Sequence, residues 1–437
     1  MKRFCITTLG CKVNQCESDA LASLLASDGG LAEPDRACAD VIVINTCAVT
    51  GKAAMQSRQA IRQAIRSNPH AKIVVTGCYA QTAPEQIRRI KGVDLIVGHI
   101  DKLRIAQFVR SRHPQPRSPV LRHQAVDQTA TFDAMPSVAP ENRTRAFLKI
   151  QDGCNTFCTY CIVPYARGRS RSMPVKDVVN HIETLSADQF REVVLTGIHL
   201  GVYGRDLRPP TTLAALLEQI SRTTRMPRIR LSSIEPTEIE APILALMAGS
   251  QSHICPHLHI PMQSGDNQVL KRMGRPYTRE HYYDAIQQVH RYLPQAAIGA
   301  DVMVGFPGES DAAFHRSMEL IRSLPVTYLH VFPFSPRKGT PAENFTNRIP
   351  DPVIKTRARE MRRLGEEKKL AFFKSQVGRR LPVLIETACD SRTGYARGLS
   401  ANYIRVLIPD AEVTPNSLVE IRITGVASNA GVIGKQT

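Results

Sequence analysis

Short apolar runs alternate with helical segments along most of this 437-residue chain. In residues 1–112, three runs rich in Val and Ile have the length of buried parallel strands, and a helical segment follows each of them. Parallel strands joined in this way need right-handed crossovers, so the pattern predicts an open parallel α/β sheet. The three predicted strands are Phe4–Leu9, Val41–Asn45 and Lys72–Thr76.

Residues 144–375 repeat the alternation through six strands, which predicts a partial (βα)6 barrel with its chemistry on the loops after the strands. Residues 376–437 contain short strand-like runs among turn residues, which predict a small antiparallel β-barrel of the kind that binds oligonucleotides. Residues 113–143 are rich in Pro, Arg, Ser and Thr and are interpreted as a linker. The six predicted barrel strands are Ala146–Ile150, Glu192–Thr196, Arg228–Ser232, His257–Ile260, Gly299–Val304 and Tyr328–Phe332.

The chain is strongly basic, with 57 Lys and Arg against 39 Asp and Glu, a net charge of +18. An excess of this size predicts a polyanionic partner, and nucleic acid fits best because a basic surface releases its counterions. Trp is absent and aromatic residues make up only 5%, which argues against an RNA surface rich in stacking side chains. Without an apolar run of about 18 residues, no membrane span is predicted, and the expected location is the cytoplasm.

Three cysteines lie in one loop directly after the first predicted barrel strand. Cys154, Cys158 and Cys161 are separated by four and three positions. Three thiolates can hold three irons of a 4Fe-4S cluster and leave the fourth iron open. An open iron can chelate the amino and carboxylate groups of S-adenosylmethionine. Zinc is the alternative, but a zinc site normally has a fourth Cys or His ligand.

Three other cysteines each follow a predicted strand of the N-terminal sheet, namely Cys11, Cys47 and Cys78. The carboxyl ends of parallel strands lie along one edge of an open sheet, where ligands bind, so these thiols are expected to be neighbours. Cysteine is also a small apolar residue that is common at buried positions, and any one of the three could be structural. Three equivalent positions in successive βα units favour a second 4Fe-4S cluster.

Two sets of arginines lie close in sequence to the predicted cluster ligands. The first set is spaced by four, which places it on one helix face: Arg58, Arg62 and Arg66. The second set alternates just beyond the three-cysteine loop: Arg167, Arg169 and Arg171. Each arginine alone could be an ordinary solvated side chain. Together they predict phosphate contacts that position an RNA without reading its sequence.

The pattern from Cys154 to Cys161, C-x3-C-x-aromatic-C, resembles the signature of the radical S-adenosylmethionine superfamily. The whole organisation is similar to that of the methylthiotransferases, with a cluster domain, a radical barrel and a C-terminal β-barrel of the TRAM type. Within that family the chain resembles the enzymes that act on threonylcarbamoyladenosine in tRNA. The segments that carry the resemblance are Gly10–Gln15, Gln151–Cys154, Tyr165–Ser172, Leu195–Gly201 and Ser232–Pro236.

The resemblance implies an S-adenosylmethionine site in the central barrel. Tyr160, Val304 and Gly305 are implied to lie beside the adenine. Thr196 and Gly197 would meet the methionine amino group, and Gln263 and Ser264 would approach the ribose. It also implies the reaction, in which a methylthio group is added to carbon 2 of N6-threonylcarbamoyladenosine next to the anticodon. The implied cofactors are two 4Fe-4S clusters and S-adenosylmethionine. The implied partners are the tRNA anticodon loop and a reducing electron donor, with the sulfur source open.

Three alternatives stay open at this point. A methylthiotransferase could act on isopentenyladenosine in tRNA, or on an aspartate of a ribosomal protein. Glu235, if it faces the substrate, would suit a polar amino-acid adduct better than an isoprenoid. A non-catalytic, zinc-stabilised RNA-binding protein would explain the charge and the C-terminal barrel, but not a three-cysteine loop without a fourth ligand.

Overall fold

The computed structural model describes residues 2–110, 119–126, 131–136, 143–409, 412–427 and 431–436. Part of the predicted linker, at 113–118, 127–130 and 137–142, lies outside the described residues. The chain divides into two compact units. The first unit comprises Met1–Val138, Gln151–Met173 and Ser335–Glu343, and the second comprises Ala139–Ile150, Pro174–Phe334 and Asn344–Thr437.

Strands and helices alternate through most of the described chain. The strands are β1 (Arg3–Thr8), β2 (Leu31–Ala32), β3 (Val41–Thr46), β4 (Lys72–Gly77), β5 (Leu95–Val97), β6 (Val120–Arg122), β7 (Arg145–Lys149), β8 (Gln151–Asp152), β9 (Arg171–Ser172), β10 (Glu192–Thr196), β11 (Arg228–Leu231), β12 (His257–His259), β13 (Ala297–Val304), β14 (Tyr328–Pro333), β15 (Arg380–Ile385), β16 (Ala396–Ser400), β17 (Arg405–Ile408), β18 (Leu418–Val426) and β19 (Val432–Gln436). The helices are α1 (Lys12–Ser27), α2 (Gly51–Ser67), α3 (Cys78–Thr82), α4 (Pro84–Arg88), α5 (Ile105–Arg110), α6 (Val163–Arg167), α7 (Val175–Ala187), α8 (Leu213–Thr223), α9 (Ala241–Ala248), α10 (Asn267–Met273), α11 (Arg279–Tyr292), α12 (Asp311–Ser323) and α13 (Asp351–Ser375).

The first unit contains the predicted open parallel sheet, with its strands in the order β2-β1-β3-β4-β5-β6. Its central strand β3 is buried along its whole length, as its run of β-branched residues predicts. The strand order reverses between β1 and β3, and at such a switch point the loops after the two strands leave a crevice for a ligand. Cys11 follows β1 and Cys47 follows β3, so both lie at this switch point.

The segment interpreted as a linker contributes an edge strand to this sheet. Val120–Arg122 forms β6, which pairs in parallel with β5. The strand is short and lies in a stretch dominated by Pro and polar residues, so its sequence shows no period-2 pattern.

The second unit contains the predicted partial barrel. Its six parallel strands form two sheets, β11-β10-β7 and β12-β13-β14. Isolated bridges from Ile229 to Ile254 and from Ser233 to His259 join the two sheets. The resulting order β7-β10-β11-β12-β13-β14 follows the chain and confirms the predicted (βα)6 arrangement.

The C-terminal strands form a closed five-stranded barrel, β15-β16-β17-β19-β18, in the second unit. All neighbouring pairs are antiparallel except β17 and β19. Buried Arg230 ties this barrel to the partial barrel, since it pairs with Glu192 at 2.7 Å and donates to the carbonyl of Ala401 at 2.9 Å. Across the described ranges, the helices are too short or too polar to cross a membrane.

Candidate functional site

Cys11, Cys47 and Cys78 meet at the carboxyl edge of the N-terminal sheet. Cys11 caps the start of α1, Cys47 directly follows β3, and Cys78 opens α3 after β4. Burial raises the pKa of the Cys78 thiol to about 12; buried Arg167 opposes this rise, and Cys47 and Cys11 add to it. Gly10 and Gly77, the residues that precede Cys11 and Cys78, both lie against the end of β3 and Cys47 or its neighbours. The three cysteines therefore lie at one edge of the sheet, as the topology predicts.

Glycines let these cysteine loops approach one another. Gly10 has a φ of +100°, and a Cβ there would lie 2.9 Å from both Cβ and Sγ of Cys47. Gly77 has a φ of +95°, and a Cβ there would lie 2.5 Å from the side-chain oxygen of Asn45. A side chain at either position would push the neighbouring loop away from the sheet edge.

Replacing Gly10 by Ala is expected to reduce both stability and iron content. The left-handed backbone costs about 1–2 kcal/mol for a residue with a side chain, and the crowding against Cys47 adds about 1–3 kcal/mol. Gly29→Ala is the matched control, because Gly29 has a φ of +82° but nothing within 4 Å of its would-be Cβ. Chemical denaturation and iron analysis of both variants test this expectation, and equal losses in the two variants would contradict it.

Side-chain hydrogen bonds join the start of α1 to the carboxyl ends of β1 and β3, and the end of β3 to β4. The Asn14 amide donates to the carbonyls of Leu9 at 2.7 Å and Thr46 at 3.1 Å. The Thr46 hydroxyl donates to the carbonyl of Thr76 at 2.5 Å. These polar residues were not identified from the sequence, although their positions next to the three cysteines offered a signal.

The three-cysteine loop belongs to the same first unit. It runs between β8 and α6, with Cys158 buried and Cys154 and Cys161 partly exposed. The Cys154 N–H donates to the carbonyl of Gly168 at 3.0 Å. Gly153 has a φ of +75°, and a Cβ there would lie 2.7 Å from the same carbonyl oxygen, so glycine allows the loop to close.

Buried Arg167 connects the two sets of cysteine loops. Its guanidinium lies 2.8 Å from Glu17 and 3.0 Å from Asp152, and it donates to the side-chain oxygen of Asn14 at 2.7 Å. Glu17 also forms an ion pair with buried Lys102. Burial lowers the pKa of Arg167, but Glu17 and Asp152 outweigh that effect and raise the pKa above its ordinary value. The side chain is therefore a permanent buried cation.

The position of this network in the chain gives it its importance. Asn14 and Glu17 lie in the first two turns of α1, directly after Cys11. Asp152 lies two residues before Cys154. One guanidinium thus holds together the start of α1, beside Cys11, and the start of the three-cysteine loop.

The predicted RNA contact of Arg167 is wrong, because the residue is only 1% exposed and its charge is paired. The same holds for Arg171, which is 7% exposed and lies 3.9 Å from Asp152. Arg169 is exposed. The three arginines do not share one face, since Arg167 ends a helix and Arg171 begins a strand.

The arginines of α2 divide in a similar way. Arg62 and Arg66 are exposed on the helix surface. Arg58 is half-buried, and its guanidinium donates to the hydroxyl of Tyr79, the residue after Cys78, at 3.0 Å. Arg58 therefore supports the loop that carries Cys78 in addition to any role with RNA.

The predicted S-adenosylmethionine residues other than Tyr160 lie in the second unit, at strand ends of the partial barrel. Thr196 ends β10 and is followed by Gly197. Gln263 has a φ of +62°, and its N–H donates to the carbonyl of Asp301 at 2.8 Å. Val304 ends β13 and is fully buried. Tyr160 belongs to the three-cysteine loop of the first unit.

Two of these residues point into packing contacts. The Ser264 hydroxyl is fully buried and lies 3.5 Å from that of Ser317 on α12. The Gly305 N–H donates to the Glu309 carboxylate at 2.7 Å, and a Cβ at Gly305 would clash with Ile354 on α13. Both residues shape the strand ends, and their contact with a cofactor stays a prediction.

Glu235 follows β11 and forms an ion pair with Arg275. Burial raises the pKa of Glu235, and Arg275 and His199 oppose the rise. A substrate that reached Glu235 would meet a paired carboxylate. Its predicted role in substrate contact stays a prediction.

A further polar group was not identified from the sequence. His259 Nε2 lies 2.8 Å from Asp301 and His330 Nδ1 lies 3.4 Å from it, on three neighbouring strands of the partial barrel. Burial raises the pKa of Asp301, but hydrogen bonds from the two histidines outweigh it and hold the pKa well below its ordinary value. Their separation by about 30–40 positions in the chain hid this group.

The donor chemistry of the two cysteine sets fits iron–sulfur clusters. None of the described cysteines forms a disulfide. Thiolates are soft ligands that select iron–sulfur clusters over hard cations such as Mg²⁺. Gly10, Gly77 and Gly153 keep side chains out of the loops that bring these thiols together.

Comparison with known families agrees with this chemistry. Residues 3–98 match the model described as "Uncharacterized protein family UPF0004", and residues 148–321 match the model of the Radical SAM superfamily. The chain is also similar in fold to the radical S-adenosylmethionine methyltransferase TsrM from Kitasatospora setae, solved with cobalamin and a 4Fe-4S cluster. That match has a TM-score of 0.58 and 15% identity, and it covers 78% of this chain and 77% of the other.

Sequence relatives match over nearly the full length. The threonylcarbamoyladenosine tRNA methylthiotransferase MtaB of Bacillus subtilis is 37% identical, over 95% of this chain and 92% of the relative. The protein of the same name from Chlamydia pneumoniae is 36% identical, over 99% and 97%. The tRNA-2-methylthio-N(6)-dimethylallyladenosine synthase of Carboxydothermus hydrogenoformans is 32% identical, over 97% of each chain. The chain therefore belongs to the methylthiotransferase family of radical S-adenosylmethionine enzymes.

Proposed function

We propose that this protein adds a methylthio group to carbon 2 of N6-threonylcarbamoyladenosine next to the anticodon of tRNA. The observation that carries the proposal is the pairing of two three-cysteine sets in one compact unit, joined through Arg167. A methylthiotransferase needs one site for sulfur and one for radical formation. The choice of adenosine adduct is supported by relatives named for threonylcarbamoyladenosine, at 34–37% identity over most of the chain.

The loop cysteines Cys154, Cys158 and Cys161 would hold the 4Fe-4S cluster that binds S-adenosylmethionine. Cys11, Cys47 and Cys78, the set at the edge of the sheet, would hold a second 4Fe-4S cluster. When bound, these groups supply methyl transfer to sulfur and the homolytic cleavage that makes a carbon radical. The protein's part is to fix the two cysteine sets relative to each other. We assign residues 1–112 to the sulfur site, 144–375 to radical chemistry and 376–437 to RNA binding.

Radical chemistry is the route that suits carbon 2 of an adenine. Its C–H bond is not activated, so a side-chain base cannot remove the proton at a useful rate. General acid–base catalysis contributes typically 10²–10⁴-fold, too little for such a bond. The chain accordingly contributes positioning groups such as Asn14, Glu17 and Asp152 near the cysteines, rather than a catalytic base.

Exposed basic residues of the first unit would hold the RNA by its phosphates. Arg62, Arg66 and Arg169 are exposed and would give contacts that position the loop without reading bases. The target adenosine would be displaced from its stack to reach the reacting groups. Because the substrate is tRNA, the reaction would take place in the cytoplasm.

The proposal predicts a specific change in tRNA nucleosides. Cells that lack this gene are expected to lose the 2-methylthio form of threonylcarbamoyladenosine, measured by mass spectrometry of digested tRNA. The gene supplied in trans should restore that nucleoside. The methylthio form of the isopentenyl derivative should not change.

Two results would contradict the proposal. If the isopentenyl derivative lost its methylthio group instead, the adenosine adduct would be wrong and the chemistry would stand. If neither nucleoside changed, the substrate would lie outside these tRNA adducts, and ribosomal proteins would be the next class to examine.

A further inference from the structure

A cleft of about 470 Å³ opens beside the three-cysteine loop in the first unit. One wall is formed by that loop and α6, another by the end of α3 and the segment after β6, and the third by Lys338 and Gly339. Its volume lies within the range of about 300–1,000 Å³ that is usual for ligand pockets. We call it the Phe157 cleft, after the aromatic residue between Cys154 and Cys158.

Two large aromatic side chains are exposed in the Phe157 cleft. Phe157 and Tyr165 are each 43% exposed, and their ring centroids lie 5.7 Å apart at an interplanar angle of 84°. Exposed aromatic groups that meet in a concave site are typical of binding surfaces. The low aromatic content argued against such a surface, and the structure places two of the few exposed aromatic residues together.

The backbone at Phe157 supports a functional reading. Phe157 has a φ of +47°, in the left-handed region that bulky residues rarely adopt. The residue is 43% exposed, so burial of the side chain compensates for this conformation only in part. Strain of this kind is concentrated at ligand-binding sites.

The charge of the Phe157 cleft indicates what it binds. Arg169 and Lys338 line it and are exposed, and no Asp or Glu is among its described lining residues. Aromatic rings offer a face on which a nucleobase stacks, and Arg and Lys attract the phosphate that follows the base. This combination fits an unpaired nucleotide better than an apolar peptide or a neutral metabolite.

We propose that the Phe157 cleft binds one unpaired nucleotide of the RNA substrate, with its base against Tyr165 and Phe157 and its phosphate near Arg169 and Lys338. The inference rests on the proposed function and deepens it. Displacing the target adenosine leaves neighbouring bases of the loop without their stacking partner. A stacking site beside the three-cysteine loop would hold one of these bases and so keep the loop open.

The test measures RNA affinity in the iron-loaded enzyme. The probe is an anticodon stem–loop RNA that carries threonylcarbamoyladenosine, together with versions in which one loop nucleotide at a time is abasic. Tyr165→Ala should raise the Kd about 5- to 100-fold, as expected when base stacking is lost. Tyr165→Phe should bind nearly as well as the wild type. Tyr292→Ala on α11 is the control, because Tyr292 has a similar exposure of 41% and should not change the Kd.

The abasic series identifies the base. For the wild type, one abasic position should raise the Kd by a similar factor, and in Tyr165→Ala the same change should have no further effect. If Tyr165→Ala contains as much iron as the wild type, its weaker binding reflects a lost RNA contact and not a lost cluster. If iron falls in Tyr165→Ala, Lys338→Gln decides instead, because Lys338 lies outside the cysteine loop; it should raise the Kd and reduce its salt dependence.

An unchanged Kd in these variants, or an abasic profile that stays as in the wild type, would overturn the inference. A loss of activity in these variants that occurs with a protein reductant but not with dithionite would assign the cleft to an electron-donor protein. That result would also overturn the inference. Failure of the proposed function would be recognised differently. The wild type itself would then form no 2-methylthio nucleoside on this RNA, whatever the RNA affinity of the variants.

Discussion

Replacing Cys158 by Ala is expected to abolish methylthio transfer and to remove about half of the bound iron, because each three-cysteine set would hold one of two 4Fe-4S clusters. The two thiolates that remain in this loop cannot hold a cluster that needs three. Without this cluster, S-adenosylmethionine has no reductant, so formation of 5′-deoxyadenosine should also stop. Iron analysis and product analysis by mass spectrometry after anaerobic reconstitution test both expectations.

Cys47→Ala should show that the two cysteine sets have different roles. It is also expected to remove about half of the iron and to abolish the methylthio product, since the second cluster would be lost. Reductive cleavage of S-adenosylmethionine should continue, because the loop cysteines are intact. Cys5→Ala is a matched control: Cys5 and Cys47 are each 7% exposed, and Cys5 lies inside β1 away from the carboxyl edge.

These outcomes distinguish the assignments from one another. If Cys47→Ala kept all its iron, the sheet-edge cysteines would be structural. If Cys5→Ala lost as much iron as Cys47→Ala, the loss would reflect general destabilisation of the sheet. Zinc in place of iron in the wild type would revive the non-catalytic alternative.

Much of this architecture could be predicted from local sequence patterns. The strands β3, β10 and β13 begin and end within about two residues of the predicted bounds, because buried parallel strands consist largely of apolar residues. The convergence of Cys11, Cys47 and Cys78 followed from topology alone, since all carboxyl ends of a parallel sheet share one edge.

What could not be predicted depends on contacts between distant residues. Arg167 was predicted to bind RNA because its neighbours are basic, whereas its partner Glu17 lies 150 positions away. Phe157 has a left-handed backbone that no sequence pattern requires. Composition averages over the chain, so it could not show that Phe157 and Tyr165 meet in one cleft.

Arg167→Met is expected to have the second large effect. Methionine fills a similar volume, but its substitution leaves Asp152 without its nearest cation and the side-chain oxygen of Asn14 without its donor. Removing one partner from a buried ion-pair network typically costs about 3–5 kcal/mol. Glu17 would keep Lys102 as a partner, which places the expected loss in the lower part of that range.

Arg167→Met should reduce iron binding by the cysteines more than it reduces the stability of the rest of the fold. The guanidinium holds α1 and the start of the three-cysteine loop together, so both cysteine sets should lose iron. Arg167→Lys keeps the charge but not the planar fork that reaches Glu17, Asp152 and Asn14 at once, and should be intermediate. Arg169→Gln, two positions away and exposed, is the control. Calorimetry and iron analysis provide the measurements. Arg167→Met with wild-type iron and unfolding would show that the two cysteine sets are positioned without this network.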